Sequence, residues 1–90
     1  MEQEQRAAII RAIHAVRGRV LALPVAGLDV LLVGWRGDNY VLLLPAGPGL
    51  TRAERRWLRG WVGHAEVVRN EDDALSAIEA KYRGWAEGAG

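Results

Sequence analysis

Four arginines in the segment 52–59 are the residues of this chain with the clearest chemical potential: Arg52, Arg55, Arg56 and Arg59. In a predicted helix they occupy the side opposite an apolar stripe. Guanidinium groups bind phosphate oxygens, so a helix with four of them is typical of nucleic-acid contact. Arg36, in a predicted hairpin, would add a fifth contact. DNA is therefore one partner that the pattern suggests.

The same arginines have other interpretations. They could form a solvated helix face, or they could pair with acidic residues further along the chain. Residues 51–70 contain five arginines and two glutamates, whereas residues 71–90 contain five acidic and two basic residues. A basic helix that meets an acidic helix across a twofold axis is a natural route to a homodimer. Nucleic-acid binding, a solvated face and self-assembly thus remain open, and we expect a homo-oligomer.

Other residue types with reactive side chains offer little chemistry. The chain has no cysteine, which excludes disulfides, thiolate zinc sites and cysteine nucleophiles. Thr51 and Ser76 lie where helix structure accounts for them, so no catalytic triad is predicted. His14 and His64 have no close pair of carboxylates and are interpreted as structural or surface residues. No phosphate-binding glycine motif occurs, and we expect no cofactor.

Composition and charge bound the class of protein. The 90 residues carry 12 basic and 11 acidic side chains, and 50% are hydrophobic, which predicts one compact domain over residues 1–90. The longest apolar stretch, residues 25–33, is interrupted by Asp29. The N-terminal residues do not resemble a secretion signal. We therefore expect a cytoplasmic protein without a membrane span.

The first half of the chain predicts a helix followed by three strands. Its helix, over residues 2–17, has apolar residues at helical spacing and Gly18 as its stop: Ala8, Ile9, Ala12, Ile13 and Val16. The strands are predicted over residues 19–25, 28–35 and 40–44. A hairpin loop over residues 36–39 joins the last two, so the three strands form a meander.

The second half predicts a helix, a strand and a helix after a loop over residues 45–49. Thr51 and Glu54 form a capping-box pattern, and Gly63 would end the helix. Its apolar stripe is Ala53, Trp57, Leu58 and Trp61. A strand over residues 65–69 would lie parallel to the third strand. Asn70 would cap a third helix that buries Ala74, Leu75, Ile78 and Tyr82, and residues 84–90 would fray.

This order of elements resembles the restriction-endonuclease-like fold, an α/β fold with a mixed four-stranded sheet flanked by helices. The segments LDVLLVGWRGDNY and LTRAERRWLRGWVGHAEVVRNEDDALSAI resemble small phage and bacterial PD-(D/E)XK nuclease domains related to VRR-NUC and Holliday-junction resolvases. The resemblance spans about residues 6–80. It implies a strand that opens with Pro-Asp, a following strand with Glu-x-Lys, and a helix with Leu-Thr-x-x-Gln.

The site that this resemblance implies is incomplete. Asp29 matches the metal-binding aspartate, although Leu28 replaces the proline before it. Leu43 stands at the position of the metal-binding glutamate and Pro45 at that of the catalytic lysine. Glu54 replaces the glutamine of the helix. The resemblance therefore implies a degenerate nuclease domain without catalytic residues or bound metal.

Three functions follow as expectations. The leading one is non-catalytic binding of nucleic acid through the basic helix. A second is a protein-interaction module, in which Trp57 or Trp61 would anchor a partner if exposed. A third is a Mg²⁺-dependent nuclease with displaced ligands, in which Asp29 and Glu54 would bind the metal.

Overall fold

The computed structural model describes residues 1–79, which form three helices and four strands in the predicted order. The elements are α1 (Gln3–Ala15), β1 (Arg19–Leu23), β2 (Val30–Trp35), β3 (Asp38–Leu43), α2 (Arg52–Gly60), β4 (Glu66–Val67) and α3 (Glu71–Ala77). The predicted α/β class is confirmed. Tyr82 and the predicted tail over residues 84–90 lie outside the described residues.

The four strands form one mixed, open sheet in the order β1-β2-β3-β4. Strands β1, β2 and β3 pair antiparallel, as predicted for a meander. Strand β4 pairs parallel to β3, with Glu66 beside Leu42 and Val67 beside Leu43. Both predicted kinds of pairing are therefore confirmed, although β4 is shorter than expected.

A hydrophobic core cluster lies between one face of the sheet and the helices α1 and α3. Strand alternation places Leu31, Val33 and Trp35 on this face, where each is buried. The other buried members of the cluster are Ile9, Ile13, Leu42, Leu44, Val68, Ala74 and Ile78. Helix α1 packs against α3 and β1, and α3 packs against β3. Helix α2 contributes no residue to this cluster.

The end of α1 differs from the predicted glycine stop. The N–H of Arg17 donates to His14 O and that of Gly18 to Ile13 O, both at 2.9 Å, which is the hydrogen-bond pattern of a Schellman cap. The left-handed residue of this cap is Arg17, with φ 69°. Gly18 has a different role, because a Cβ there would lie 2.6 Å from Cγ2 of the buried Ile13. The glycine is thus required by space and the arginine carries the backbone strain.

The β2–β3 connection is tighter than the predicted loop over residues 36–39. Trp35 and Asp38 pair directly, so only Arg36 and Gly37 form the turn. Their φ angles are 50° and 84°, the pair of positive values that a type I′ turn requires. Asp38 and Asn39 belong to β3 because this turn matches the twist of the two strands.

Helix α2 begins as predicted and ends earlier. Thr51 and Glu54 form the expected capping box. The helix stops at Gly60 and not at Gly63, and Trp61 turns to an extended conformation with ψ 129°. The Trp61 ring stacks on that of Trp57, with the centroids 5.1 Å apart. Within residues 1–79, no helix is long and apolar enough to span a membrane.

Candidate nucleic-acid interface

The four predicted arginines form an exposed stripe along α2, which we call the α2 arginine face: Arg52, Arg55, Arg56 and Arg59. Their spacing of three, four and seven residues brings them to one side of the helix. Arg55 also donates from Nη1 to Leu50 O at 3.1 Å. Within residues 1–79, none of the four forms an ion pair with a carboxylate. Pairing with the acidic residues of α3 in the same molecule is therefore not observed in this part of the chain.

A buried carboxylate holds the first turn of α2 in place. Glu54 is 2% exposed and is the one buried residue of the helix, whereas Ala53, predicted to face inward, is exposed. Glu54 Oε1 accepts the Thr51 N–H at 2.7 Å, and Oε2 accepts the Ala46 N–H at 2.9 Å. These two bonds join the helix to the loop that precedes it.

The pKa of Glu54 lies below its ordinary value. Burial raises the pKa of this carboxyl because it disfavours the charged form. The backbone N–H groups of Thr51 and Ala46 stabilise the carboxylate, and the lowering of the pKa that they cause outweighs the effect of burial. Glu54 is therefore ionised at neutral pH, and its charged hydrogen bonds hold the start of α2 against the preceding loop.

The two carboxylates predicted as displaced metal ligands each have a structural partner. Asp29 Oδ2 accepts a hydrogen bond from Arg6 Nε at 2.8 Å, which ties α1 to the start of β2. Both oxygens of Glu54 accept backbone N–H groups. Across residues 1–79, no three His, Asp or Glu side chains come together as a possible metal site.

The structure does not bring Asp29 together with Leu43. The N–H of Leu44 donates to Asp29 O at 2.9 Å, so these two residues are opposite each other in the ladder, and Leu43 pairs with Val30. Opposite residues of antiparallel strands share a face and successive residues alternate. Asp29 therefore lies on the face that packs against α1, and Leu43 lies on the other. Pro45 is buried beyond the end of β3.

Arg36 lies away from the start of α2. The turn that carries it precedes β3, whereas the loop that binds Glu54 follows β3, and a six-residue strand is about 20 Å long. Arg36 instead joins Arg17 and Arg19 in lining a cleft of about 290 Å³. We call this the hairpin cleft. The other described residues that line it are Gly34, Trp35, Gly37, Asp38 and Asn39.

Arg17 and Arg19 were not among the predicted site residues. A signal was available, because pairing of the first two predicted strands places Arg19 opposite Gly34, next to the hairpin turn. The position of Arg17 depends on the cap of α1, which the sequence did not reveal. The cleft thus assembles arginines from three segments that are separate in the chain.

The remaining candidate residues are two histidines and two tryptophans. His64 Nε2 lies 2.6 Å from Glu66 Oε1 on an exposed part of the surface, and His14 is exposed at the end of α1. Trp57 and Trp61 are half-buried, whereas Val62 beside them is 98% exposed.

Comparison with protein-family models, curated proteins and solved structures gives no match.

Proposed function

We propose that this domain binds nucleic acid without catalysis, through the α2 arginine face. The observation that carries the proposal is the exposure of four guanidinium groups on one helical face, with no carboxylate partner within residues 1–79. Arg52 and Arg59 are about 10 Å apart along the helix axis, since each residue rises about 1.5 Å. Phosphates of one DNA strand rise about 3.4 Å per step along the duplex axis, so a row of this length spans about three of them.

The lack of catalysis is proposed from the state of the carboxylates. Asp29 forms an ion pair with Arg6, and Glu54 is buried with two backbone donors. Leu43 and Pro45 cannot supply a metal ligand or a cation. The order of helices and strands supports a proposed kinship with PD-(D/E)XK nucleases at the level of the fold. The placement of Asp29 and Leu43 on opposite faces argues against a nuclease site at these positions.

A fluorescence-anisotropy titration with labelled duplex and branched DNA at several salt concentrations tests the proposal. Affinity should fall as salt rises, because binding releases counterions from the phosphates. Arg56→Glu should weaken binding and should flatten the logarithmic salt dependence by about one unit for the phosphate contact that is lost. Arg56 suits the test because it is exposed and its side chain has no hydrogen bond within residues 1–79.

Arg11→Glu is the matched control. Arg11 is an exposed arginine on α1, so its reversal changes the net charge of the protein equally without touching the α2 arginine face. It should leave DNA affinity near that of the unaltered protein. Equal losses from the two variants would reduce the effect to net charge, and an absence of binding even at low salt would refute the proposal.

The nuclease alternative makes a different prediction in the same samples. Cleavage of the labelled DNA that requires Mg²⁺ and disappears in Asp29→Ala would replace the non-catalytic proposal. Asp29→Ala also removes the partner of Arg6, so its fold is checked by circular dichroism before the assay. Retention of DNA binding without cleavage supports the proposal as stated.

A protein-interaction module is the second candidate function. It is favoured by the exposure of two large apolar side chains, Val62 at 98% and Leu21 at 61%. Leu21 belongs to β1, whose outer edge is unpaired within the described sheet. Analytical ultracentrifugation tests whether these residues mediate self-association. A concentration-dependent dimer that Val62→Ser or Leu21→Ser disrupts supports this function. A monomer at all concentrations contradicts the homo-oligomer.

A further inference from the structure

The hairpin cleft concentrates positive charge away from the α2 arginine face. Arg17 follows α1, Arg19 begins β1, and Arg36 forms the hairpin turn, yet all three line one cleft of about 290 Å³. Arg17 and Arg19 are exposed and form no ion pair within residues 1–79. Asp38 is the one acidic residue among the described residues that line the cleft. These described side chains together carry a net positive charge.

Two of its arginines occupy strained backbone positions. Only three non-glycine residues within 1–79 have a positive φ, and Arg17 and Arg36 are two of them. Glycine is preferred at the left-handed residue of a helix cap, and Asn, Asp or Gly at the first position of a type I′ turn. An arginine at either place is less stable than the residue that the turn favours. Strained residues held against local preference cluster at functional sites, and here both lie at the same cleft.

The third feature of the hairpin cleft is that stacking on Trp35 restricts the side chain of Arg36. Its guanidinium carbon lies 4.8 Å from the centroid of the Trp35 ring. Trp35 is itself fixed, since it is 6% exposed and its Nε1 donates to Val16 O at 2.9 Å. A guanidinium that stacks on a fixed ring loses less conformational freedom when it binds an anion.

We propose that the hairpin cleft is a phosphate-binding site, in which Arg17, Arg19 and Arg36 donate to the oxygens of one phosphate group. The volume is at the lower end of the range for small-molecule sites, which suits a phosphate with its attached sugar. The phosphate belongs either to a nucleic-acid backbone or to a mononucleotide. The site does not depend on the α2 arginine face, so it can be tested even if the proposed function fails.

The test uses the double variant Arg17→Gly/Arg36→Asn, in which each arginine is replaced by a residue that its backbone conformation favours. Both replacements relieve backbone strain, which offsets the loss of the stacking of Arg36 on Trp35, so the variant should unfold at a urea concentration no lower than that of the unaltered protein. Its affinity for inorganic phosphate, titrated by amide chemical shifts of Gly37 and Asn39, should nevertheless fall by about tenfold or more, the loss expected for charged hydrogen bonds. Retained stability with a loss of binding is difficult to obtain from a structural role alone.

Arg56→Glu serves as the control, since it alters the α2 arginine face and leaves the cleft intact. It should not change phosphate affinity at Gly37 and Asn39. Phosphate binding that is unaltered in Arg17→Gly/Arg36→Asn, or shifts that appear along α2 and not at the cleft, would overturn the proposal.

Two further titrations identify the source of the phosphate. A single-stranded oligonucleotide that binds the double variant more weakly than the unaltered protein indicates a backbone phosphate as the ligand. If the double variant has a lower affinity for a nucleoside 5′-monophosphate but an unchanged affinity for the oligonucleotide, the ligand is a mononucleotide. If neither ligand binds the double variant more weakly than the unaltered protein, the phosphate site is contradicted. This conclusion does not depend on the effect of Arg56→Glu on DNA binding.

Discussion

At the residue scale, Glu54 shows how one carboxylate determines the position of a helix. Glu54→Gln keeps the shape of the side chain but replaces one acceptor oxygen by a donor that faces a backbone N–H. We expect the free energy of unfolding to fall by about 1–2 kcal/mol at neutral pH, because hydrogen bonds to a charged group are lost. Urea denaturation checks this, with Glu4→Gln, an exposed glutamate on α1, as the control of equal charge.

The same pair of variants predicts a pH dependence. The pKa of Glu54 in the folded state lies below its ordinary value of 4.5, so ionised Glu54 stabilises the fold above that pH. The contribution is lost as the pH falls through the folded-state pKa. The difference in stability between the unaltered protein and Glu54→Gln should therefore be constant near neutral pH and shrink below about pH 4.5. A difference that persists undiminished at pH 3 would contradict this role.

Gly18 carries a second residue-scale prediction, which concerns space. A methyl group at this position would lie 2.6 Å from Ile13 Cγ2 and 3.0 Å from Ile13 O, and Ile13 is fully buried. Gly18→Ala should cost about 1–3 kcal/mol, the usual penalty for overpacking a core. Gly60→Ala, at the end of α2 where a Cβ meets nothing within 4 Å, should be neutral or stabilising. Thermal unfolding of both variants gives the comparison, and equal behaviour would be inconsistent with the close approach.

At the scale of elements, sequence periodicity predicted much of the fold. The spacing of Ile9 and Ile13 identified α1 and its buried side, and the apolar runs identified β2 and β3 with their correct pairing. These patterns succeed because burial of one face repeats with the period of the element. The parallel pairing of β4 followed from the crossover through α2.

The ends of the elements were predicted less well, and the reason is tertiary. Arg17 and Arg36 take left-handed conformations for which their residue type has no preference. Packing of α1 on the sheet and direct pairing of Trp35 with Asp38 impose these conformations. The predicted end of α1 at residue 17 and the predicted start of β3 at residue 40 therefore each lie two residues from the observed positions. The hairpin cleft was not predicted, because it depends on the exact ends of α1 and β2. The α2 arginine face follows from helical spacing alone, and its four arginines were predicted.

At the scale of the whole molecule, burial is distributed unevenly. Helices α1 and α3 supply the main hydrophobic cluster with β2 and β3, whereas α2 supplies none of it. Its one fully buried residue is the charged Glu54, and its Trp57 and Leu58 are only half-buried. A helix attached in this way leaves its opposite side open to a ligand. It also opens at a lower free-energy cost than the elements of the core, because local stability follows the apolar contacts that an element makes.

Native-state hydrogen exchange tests this distribution. Amides of α2 should exchange with a lower free energy of opening than those of Leu31 and Leu42, which should report global unfolding. Ile9→Ala removes a buried side chain and should lower the opening free energy of Leu31 and Leu42 by about 2–5 kcal/mol while the local opening of α2 stays unchanged. Glu54→Gln should lower the opening free energy of α2, and it should also lower that of Leu31 and Leu42 by about 1–2 kcal/mol, its expected effect on global unfolding. If the α2 amides lost as much opening free energy as Leu31 and Leu42 in Ile9→Ala, α2 would open only with the core, and the molecule would be one cooperative unit.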